Sequence, residues 1–288
     1  MDRICNTVLV LSALVIITSC GKEIEFNDHL GTGIRSKFLV DRIYADFGNL
    51  LAEYIYDSNN RLTQRIETTL HSDSYRTDES RIEDRFEYKN GRVSKIITYS
   101  WSHTIFHQFV HERRDEFRWE TTFEYDRTGR LIRSNGGIYG HNLDFRYENE
   151  LFVGFINNNE DPWFITDTMV YDISGNIIKH ISCGPELNMF GQPIPETTRR
   201  DVRHYEYDNN LKPNFGLDYL YTFHPIRHMG VTANVQQIIS KNNMTKAVAE
   251  RQQWIYTYNE NGLPKTIGLI FDGVESQVLL RIYYKQIR

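Results

Sequence analysis

The stretch Phe123–Ser134 reads FEYDRTGRLIRS, and its centre, Tyr-Asp-x-x-Gly-Arg-Leu, has the composition of a turn between two strands. Asp126 stands at the first turn position and Gly129 at the fourth. These are the preferences of a type I turn, with the glycine as the bulge residue of a hairpin in the left-handed region. Tyr125 and Leu131 flank the turn as strand residues, so we predict a hairpin here.

The same phrase recurs along the chain with varied chemistry. Its further copies read IYDSNNRL, EYKNGRV, RYENELF, VYDISGNI, EYDNNLK and TYNENGL. The marker tyrosines are Tyr56, Tyr88, Tyr125, Tyr147, Tyr171, Tyr207 and Tyr258, with spacings of 32, 37, 22, 24, 36 and 51 residues. A repeat of about 22 residues fits two strands and two turns, and longer spacings indicate insertions. The recurring turns then lie on one edge of a sheet and the insertions on the opposite edge.

The strands between the turns alternate polar and apolar residues. From Glu112 to Tyr125 the even positions read Glu, Arg, Glu, Arg, Glu, Thr, Glu, and the odd positions from Phe117 read Phe, Trp, Thr, Phe, Tyr. Strict period-2 alternation indicates a strand with one wet face and one covered face. We therefore predict an all-β fold, a repeat-built antiparallel meander of about 12–16 strands in a curved or twisted sheet, with barrel-like closure as the alternative.

The N-terminus predicts export and lipidation. Thr7 to Ser19 is a mostly apolar run of signal-peptide length, too short for a comfortable membrane span, and it ends in IITSC. This resembles a bacterial lipobox, which implies lipidation of Cys20; an ordinary cleaved signal is the alternative. We expect a signal peptide over 1–19, the lipidated Cys20 with a flexible tether over 20–37, and one β-repeat domain over 38–288. The implied location is the bacterial outer membrane, on its periplasmic face or at the cell surface.

Charge and cysteine content narrow the class of protein. The formal net charge of -5 and the mixed-sign charged stretches disfavour binding to a phosphate backbone, so we expect no nucleic-acid partner. Cys5 leaves with the signal and Cys20 is lipidated, so Cys183 remains without an intramolecular disulfide partner. Stability then comes from packing and strand pairing.

The phrases YDRTGRLIRS, YDISGNIIKHI and YNENGLPKTI resemble the YD repeats of RHS-type proteins. Together with the lipobox they are similar to a family of Bacteroidetes lipoproteins built from such repeats, over roughly residues 38–288. The resemblance implies an extended or shell-forming β structure with a role at the cell surface. It implies no catalytic residues, because the shared motif is a turn.

Candidate functional residues are sought in the insertions, since variable loops on a rigid sheet tend to carry function. These fall near 70–82, 102–113, 134–142, 157–167, 183–201 and 223–243. We predict no cofactor and no specified metal site, because no HExxH or comparable ligand spacing is present. The histidines nearest to ligand spacing are His103, His107, His111, His224 and His228.

The predicted function is a lipid-anchored, non-enzymatic binding or interaction module of the cell envelope. Its binding-loop candidates are Trp163, Asp161, Tyr139, His224 and His228. Loop aromatics such as Trp163 are suited to stacking on sugars or to anchoring a protein, so an envelope protein or a glycan is the expected partner beside the membrane. The alternatives are a structural or assembly component, and an envelope hydrolase acting on glycan or peptidoglycan.

Overall fold

The computed structural model confirms the all-β prediction. It describes residues 37–45, 48–107, 111–137, 141–157, 166–184, 186, 188, 194, 197, 199–217 and 239–287. The described residues form 16 strands: β1 Phe38–Ala45, β2 Leu50–Tyr56, β3 Leu62–Ser72, β4 Arg76–Lys89, β5 Arg92–Phe106, β6 His111–Tyr125, β7 Leu131–Gly136, β8 His141–Glu148, β9 Leu151–Asn157, β10 Thr166–Tyr171, β11 Ile177–Gly184, β12 Arg199–Leu211, β13 Asn242–Ala247, β14 Gln252–Tyr258, β15 Pro264–Phe271 and β16 Val274–Gln286.

The strands make one antiparallel meander that is nearly closed into a barrel-like sheet. The order runs from β10 through β16, then β1, to β9, so the N- and C-terminal strands β1 and β16 pair in the middle of the sheet. The two ends of the order, β9 and β10, lie next to each other. Barrel-like closure, the alternative in the sequence-based prediction, is therefore the geometry of this sheet.

The repeated turns build one end of the barrel, which we call the turn end. The backbone N–H of Asp126 donates to the carbonyl of Arg130 at 2.9 Å, and the Gly129 N–H donates to the carbonyl of Asp126 at 3.0 Å. The carboxylate of Asp126 accepts from the backbone N–H groups of Thr128 and Arg130, both at 2.9 Å. The turns that begin at Asp57, Asp172 and Asn259 repeat this pattern.

Tyrosine hydroxyls join the strands at the turn end. Eight of them in the described residues each donate to a backbone carbonyl on the preceding strand. The pairs are Tyr56–Val40, Tyr88–Leu62, Tyr125–Val93, Tyr147–Leu131, Tyr171–Phe152, Tyr207–Ile177, Tyr256–Met244 and Tyr284–Pro264. Burial raises the pKa of hydroxyls such as those of Tyr171 and Tyr284, which keeps them protonated as donors.

The same ring of tyrosines bridges the barrel seam. Tyr171 lies on β10 and Phe152 on β9, the two ends of the strand order, and their O···O distance is 2.6 Å. The repeat motif thereby makes the same bond across the seam as within the paired part of the sheet. Six of the seven marker tyrosines make this bond to a carbonyl, and the seventh, Tyr258, instead donates to the carboxylate of Asp208.

The chain also covers the turn end of the barrel. Residues 212–217 and 239–240, which we call the end cap, belong to the connection between β12 and β13. The carbonyl of Asn214 accepts from the N–H of Val40 at 2.7 Å, and Phe215 packs on Tyr54 with ring centroids 5.5 Å apart. On the β11 side, Ser240 Oγ accepts from the backbone N–H of Ile177 at 2.9 Å.

Gly216 allows the end cap to approach the wall. Its φ is +72°, and a Cβ at this position would lie 2.3 Å from a ring carbon of Tyr56. The inner face beneath the cap holds the hydrophobic core, in which the largest buried apolar side chains include Phe152, Ile43, Leu62, Ile96 and Met244. The turn end is therefore packed and covered.

Candidate functional site

The three longest strands of the described sheet are neighbours, and their additional length lies at the end opposite the turns, which we call the far end. Strands β4, β5 and β6 have 14, 15 and 15 residues, against 13 in β12 and β16 and 11 in β3. The additional length, together with the end of β3, forms the β3–β6 extension: residues 69–72, 76–81, 99–106 and 112–120. None of these residues is buried. Both faces of the extension therefore meet solvent.

Backbone ladders and charged pairs hold this wet sheet together. The β4–β5 register is unbroken from Arg76–Phe106 to Arg81–Trp101. Arg76 pairs with Asp78 at 2.9 Å and Arg113 with Asp115 at 2.7 Å. Exposed pairs of this kind contribute at most about 1 kcal/mol each, so the extension adds little to the stability of the barrel.

Apolar side chains at the extension are exposed although polar residues surround them. Leu70 is 61% exposed, Tyr75 64% and Phe117 57%. Exposed apolar side chains are not confined to this end, because Ile173 in the β10–β11 turn is fully exposed. What distinguishes the far end is that a run of residues on four paired strands has no buried side chain.

A groove lies on the outer face of the extension. Thr98 is on the inner face, so Tyr99 and Trp101 alternate with it onto the outer face of β5. The groove has a volume of about 420 Å³ and is lined by Arg81, Glu83, Tyr99, Ser100, Trp101, Glu116, Phe117 and Arg118. Its floor is an aromatic pair on the middle strand, with one arginine and one glutamate on each neighbouring strand.

The groove side chains are held by their neighbours. Arg85 lies over the ring of Tyr99 at 4.8 Å from its centroid, and Arg118 lies at 5.9 Å. Trp101 packs against His103 with ring centroids 6.0 Å apart, and His103 Nε2 lies 3.3 Å from a Glu112 carboxylate oxygen. The rings are therefore fixed in place along β5.

A buried charged cluster lies on the inner face at the base of the extension. Arg65, Asp84 and Thr98 are directly opposite one another on β3, β4 and β5. Arg65 donates to one Asp84 oxygen from Nε at 3.0 Å and from Nη2 at 2.5 Å, and the Thr98 hydroxyl donates to the other oxygen at 2.5 Å. These side chains are at most 2% exposed. The cluster ties the three strands together where the wet extension begins.

Glu67 is the fourth member of this cluster and is imperfectly satisfied. Its Oε1 lies 3.4 Å from Arg65 Nε and has no hydrogen-bond partner. Burial raises the pKa of Glu67, an effect that the positive charge of Arg65 opposes and the negative charge of Asp84 reinforces. Protonation of Glu67 leaves the Arg65–Asp84 pair with a net charge of zero.

The structure separates the predicted histidines. The β5–β6 turn falls between His107 and His111, so His103 and His107 belong to one arm of the hairpin and His111 to the other. His107 Nε2 lies 3.0 Å from the Thr77 hydroxyl, whereas His103 contacts Glu112. Within the part of the chain that the structure describes, no three His, Cys, Asp or Glu side chains are grouped to hold a metal ion.

The other predicted functional residues lie outside the described part of the chain. They are Cys20, Tyr139, Asp161, Trp163, His224 and His228. The predicted insertions at 70–82 and 102–113 are largely strand, because they lengthen two hairpins. The 223–243 insertion lies largely outside the described residues, and its described part, residues 239–243, leads into β13 at the turn end and not at the opposite edge predicted for the insertions.

Sequence reasoning missed the residues that distinguish the extension. Arg65 and Glu67 occur in LTQRIETTL, where Ile66 is the apolar residue that alternation alone would place inside. The register of β3 instead sets Arg65 opposite the buried Tyr54. The outer-face row Tyr99, Trp101, His103 was visible as alternate residues of one strand, but its face is set by pairing with β4 and β6.

Comparisons with known proteins show distant likenesses. The chain is similar to a porin-like protein from Bacteroides uniformis, with 12% identity over 77% of this chain and 95% of that one, at a TM-score of 0.37. A porin-like protein from Bacteroides vulgatus has 12% identity over 86% of this chain and all of the other, also at 0.37. No protein-family model and no curated protein matches the chain. In the described residues, no helix has the length and hydropathy needed to span a membrane.

Proposed function

We propose that this protein is a lipid-anchored, non-enzymatic binding module of the bacterial cell envelope that captures its partner with the β3–β6 extension. The observation that carries this proposal is the asymmetry of the barrel. One end is bonded by tyrosines, packed and covered by the end cap. The far end carries the β3–β6 extension, which has no buried side chain and exposes Leu70 and Phe117.

The anchor follows from the lipobox-like segment that ends at Cys20. Several acyl chains on one cysteine hold a protein firmly at a bilayer, whereas a single chain gives reversible binding. The Cys20→Ser variant is expected to leave the membrane fraction and appear in the soluble fraction. Retention of that variant on the membrane would contradict the lipid anchor and leave the binding surface to be tested separately.

The binding surface is tested by site-specific photo-crosslinking in the native envelope. A photo-crosslinking residue replaces Leu70 in the extension, and the matched control replaces Ile173, which is 108% exposed in the β10–β11 turn at the opposite end. Both positions are exposed aliphatic residues, so the comparison isolates location. We expect a defined adduct from position 70 and none from position 173. Equal capture at both positions, or capture at 173 alone, would remove the extension from the proposal.

A further inference from the structure

We infer that the outer-face groove of the extension binds an uncharged oligosaccharide chain, with Trp101 as the stacking platform. This inference rests on the proposed function, because it names the ligand class of the same extension. It concerns different residues from the crosslinking position Leu70, which lies two strands from β5 on the same outer face and does not line the groove. Its own test therefore succeeds or fails independently of where an envelope partner is captured.

The rings on the outer face of β5 are arranged in a row. Tyr99, Trp101 and His103 alternate along the outer face of β5, so neighbouring ring positions are about 7 Å apart along the strand. Arg85 and Arg118 lie over the ring of Tyr99 and cover its face. Trp101 is therefore the ring to which we assign stacking on the ligand. A large aromatic ring on an open sheet offers an apolar face to a flat ligand with C–H groups on one side.

Charges of both signs surround the rings in equal number. Arg81 on β4 and Glu116 on β6 lie directly opposite Trp101, and Glu83 and Arg118 flank Tyr99 in the same way. Arg85 also lies over Tyr99, and Glu120 pairs with Arg118, so three guanidinium groups and three carboxylates border the aromatic pair. A polyanion would face the glutamates and a polycation the arginines, so neither is favoured. Hydroxyl groups suit this border because each one donates to a carboxylate and accepts from a guanidinium.

The groove has the size and shape of a ligand site. The volume of about 420 Å³ lies within the range of about 300–1,000 Å³ that small-molecule sites occupy. The groove lies on the face of an extended sheet whose strands continue past it on both sides. A chain can therefore cross the groove, and recognition does not require a chain end. Together these features select a neutral polyhydroxyl chain with an apolar ring face.

The test is isothermal titration calorimetry on the full-length protein in detergent micelles. The probes are three linear neutral hexasaccharides, cellohexaose, maltohexaose and mannohexaose, with oligogalacturonate as the acidic comparison. At least one neutral hexasaccharide is expected to bind, and Trp101→Ala to weaken it by about tenfold or more. Tyr283→Ala is the matched control, since Tyr283 is an exposed aromatic of another outer-face groove, beside Arg42 and Arg281.

Two further variants keep the result interpretable. Trp101→Phe retains a ring and is expected to recover part of the affinity that Trp101→Ala loses, while Glu116→Gln lowers affinity with the ring in place. Absence of binding to every neutral probe, tighter binding of oligogalacturonate, or equal effects of Trp101→Ala and Tyr283→Ala would overturn the inference. If the crosslink from position 70 persists in that case, the binding module stands and the glycan assignment alone fails.

Discussion

The two ends of the barrel use the same strands for different purposes. At the turn end, β3 begins with the buried Leu62, whose carbonyl accepts the hydroxyl of Tyr88 at 2.7 Å. At the far end, the same strand finishes in Leu70, His71 and Ser72, all of them exposed. The buried pair of Arg65 and Asp84 lies between the buried start of β3 and its exposed end.

This difference shows where folding information is concentrated in a repeat protein. The short Tyr-Asp phrase fixes the turn and the start of the next strand. It also fixes the hydrogen bond from the tyrosine hydroxyl to a carbonyl of the preceding strand. The part of β3 beyond the charged cluster has no buried residue, so packing does not constrain its sequence. The proposed recognition surface and the residues that fix the fold therefore lie at opposite ends of the β3–β4 and β5–β6 hairpins, as expected for a rigid scaffold that carries variable segments.

The largest effect is expected from Arg65→Met. The substitution leaves the carboxylates of Asp84 and Glu67 buried beside each other without their cation. Removing one partner of a buried ion pair costs about 3–5 kcal/mol. The free energy of unfolding from urea titration measures this loss. The matched control is Arg85→Met on the outer face of β4, where the pair with Glu83 is exposed and we expect a loss below about 1 kcal/mol.

Tyr171→Phe is expected to weaken the seam. It removes the hydroxyl that bridges β10 to the Phe152 carbonyl of β9, and the unsatisfied carbonyl costs about 1–3 kcal/mol. Chemical denaturation gives the loss, and amide hydrogen exchange in β9 and β10 shows whether it is local. Tyr283→Phe, at a tyrosine that is 53% exposed, is the control and should be neutral. Equal loss in both variants would refute the closure role of the ring.

Glu67→Gln is expected to stabilise the protein, and increasingly so as pH rises. Burial raises the pKa of Glu67 in the folded state above its ordinary value of 4.5. A carboxyl group whose pKa is raised in the folded state contributes stability at pH values below its unfolded-state pKa. That contribution is lost as pH rises from the unfolded-state pKa through the folded-state pKa. The difference in unfolding free energy between the variant and the wild type should therefore grow across this window. A difference that stays constant or shrinks with pH would show that Glu67 remains ionised.

The smallest effect is expected at the tip of the extension. Tyr75→Ser replaces a side chain that is 64% exposed, and we expect a change within about 0.5 kcal/mol in the free energy of unfolding. The same denaturation experiment measures it. A loss comparable to that of Tyr171→Phe would mean that the far end also carries the stability of the barrel.

Much of the fold was predictable because its signals are local. The turn at Asp126 is predictable because the residues that form it lie within five positions and hydrogen-bond to each other. The alternation from Phe117 to Tyr125 likewise predicts a strand. The bond partner of each tyrosine was not predictable, since the Leu62 carbonyl lies 26 residues before Tyr88. Tyr284, which closes the last pair, has no turn phrase after it to mark it.

The candidate site was less predictable, for a physical reason. Insertion lengths alone predict loops near 70–82 and 102–113. The charged residues of the β3–β6 hairpins instead continue the ladder, because exposed strands tolerate Arg and Glu on both faces. Which face Trp101 occupies depends on register with β4 and β6, and register is a long-range property of the sheet. Alternation along β5 places Tyr99, Trp101 and His103 in one row, and pairing with β4 and β6 decides which face that row occupies.

Native-state hydrogen exchange in low denaturant is the most direct test of the two-ended account. It compares backbone amides near the charged cluster, in residues 65–67 and 96–98, with those in residues 69–72 and 102–105 of the same strands. We predict that the first set exchanges only through global unfolding, while the second exchanges through local openings of much lower free energy. Equal opening free energies along β3 and β5 would contradict the separation of a stabilising end from a binding end.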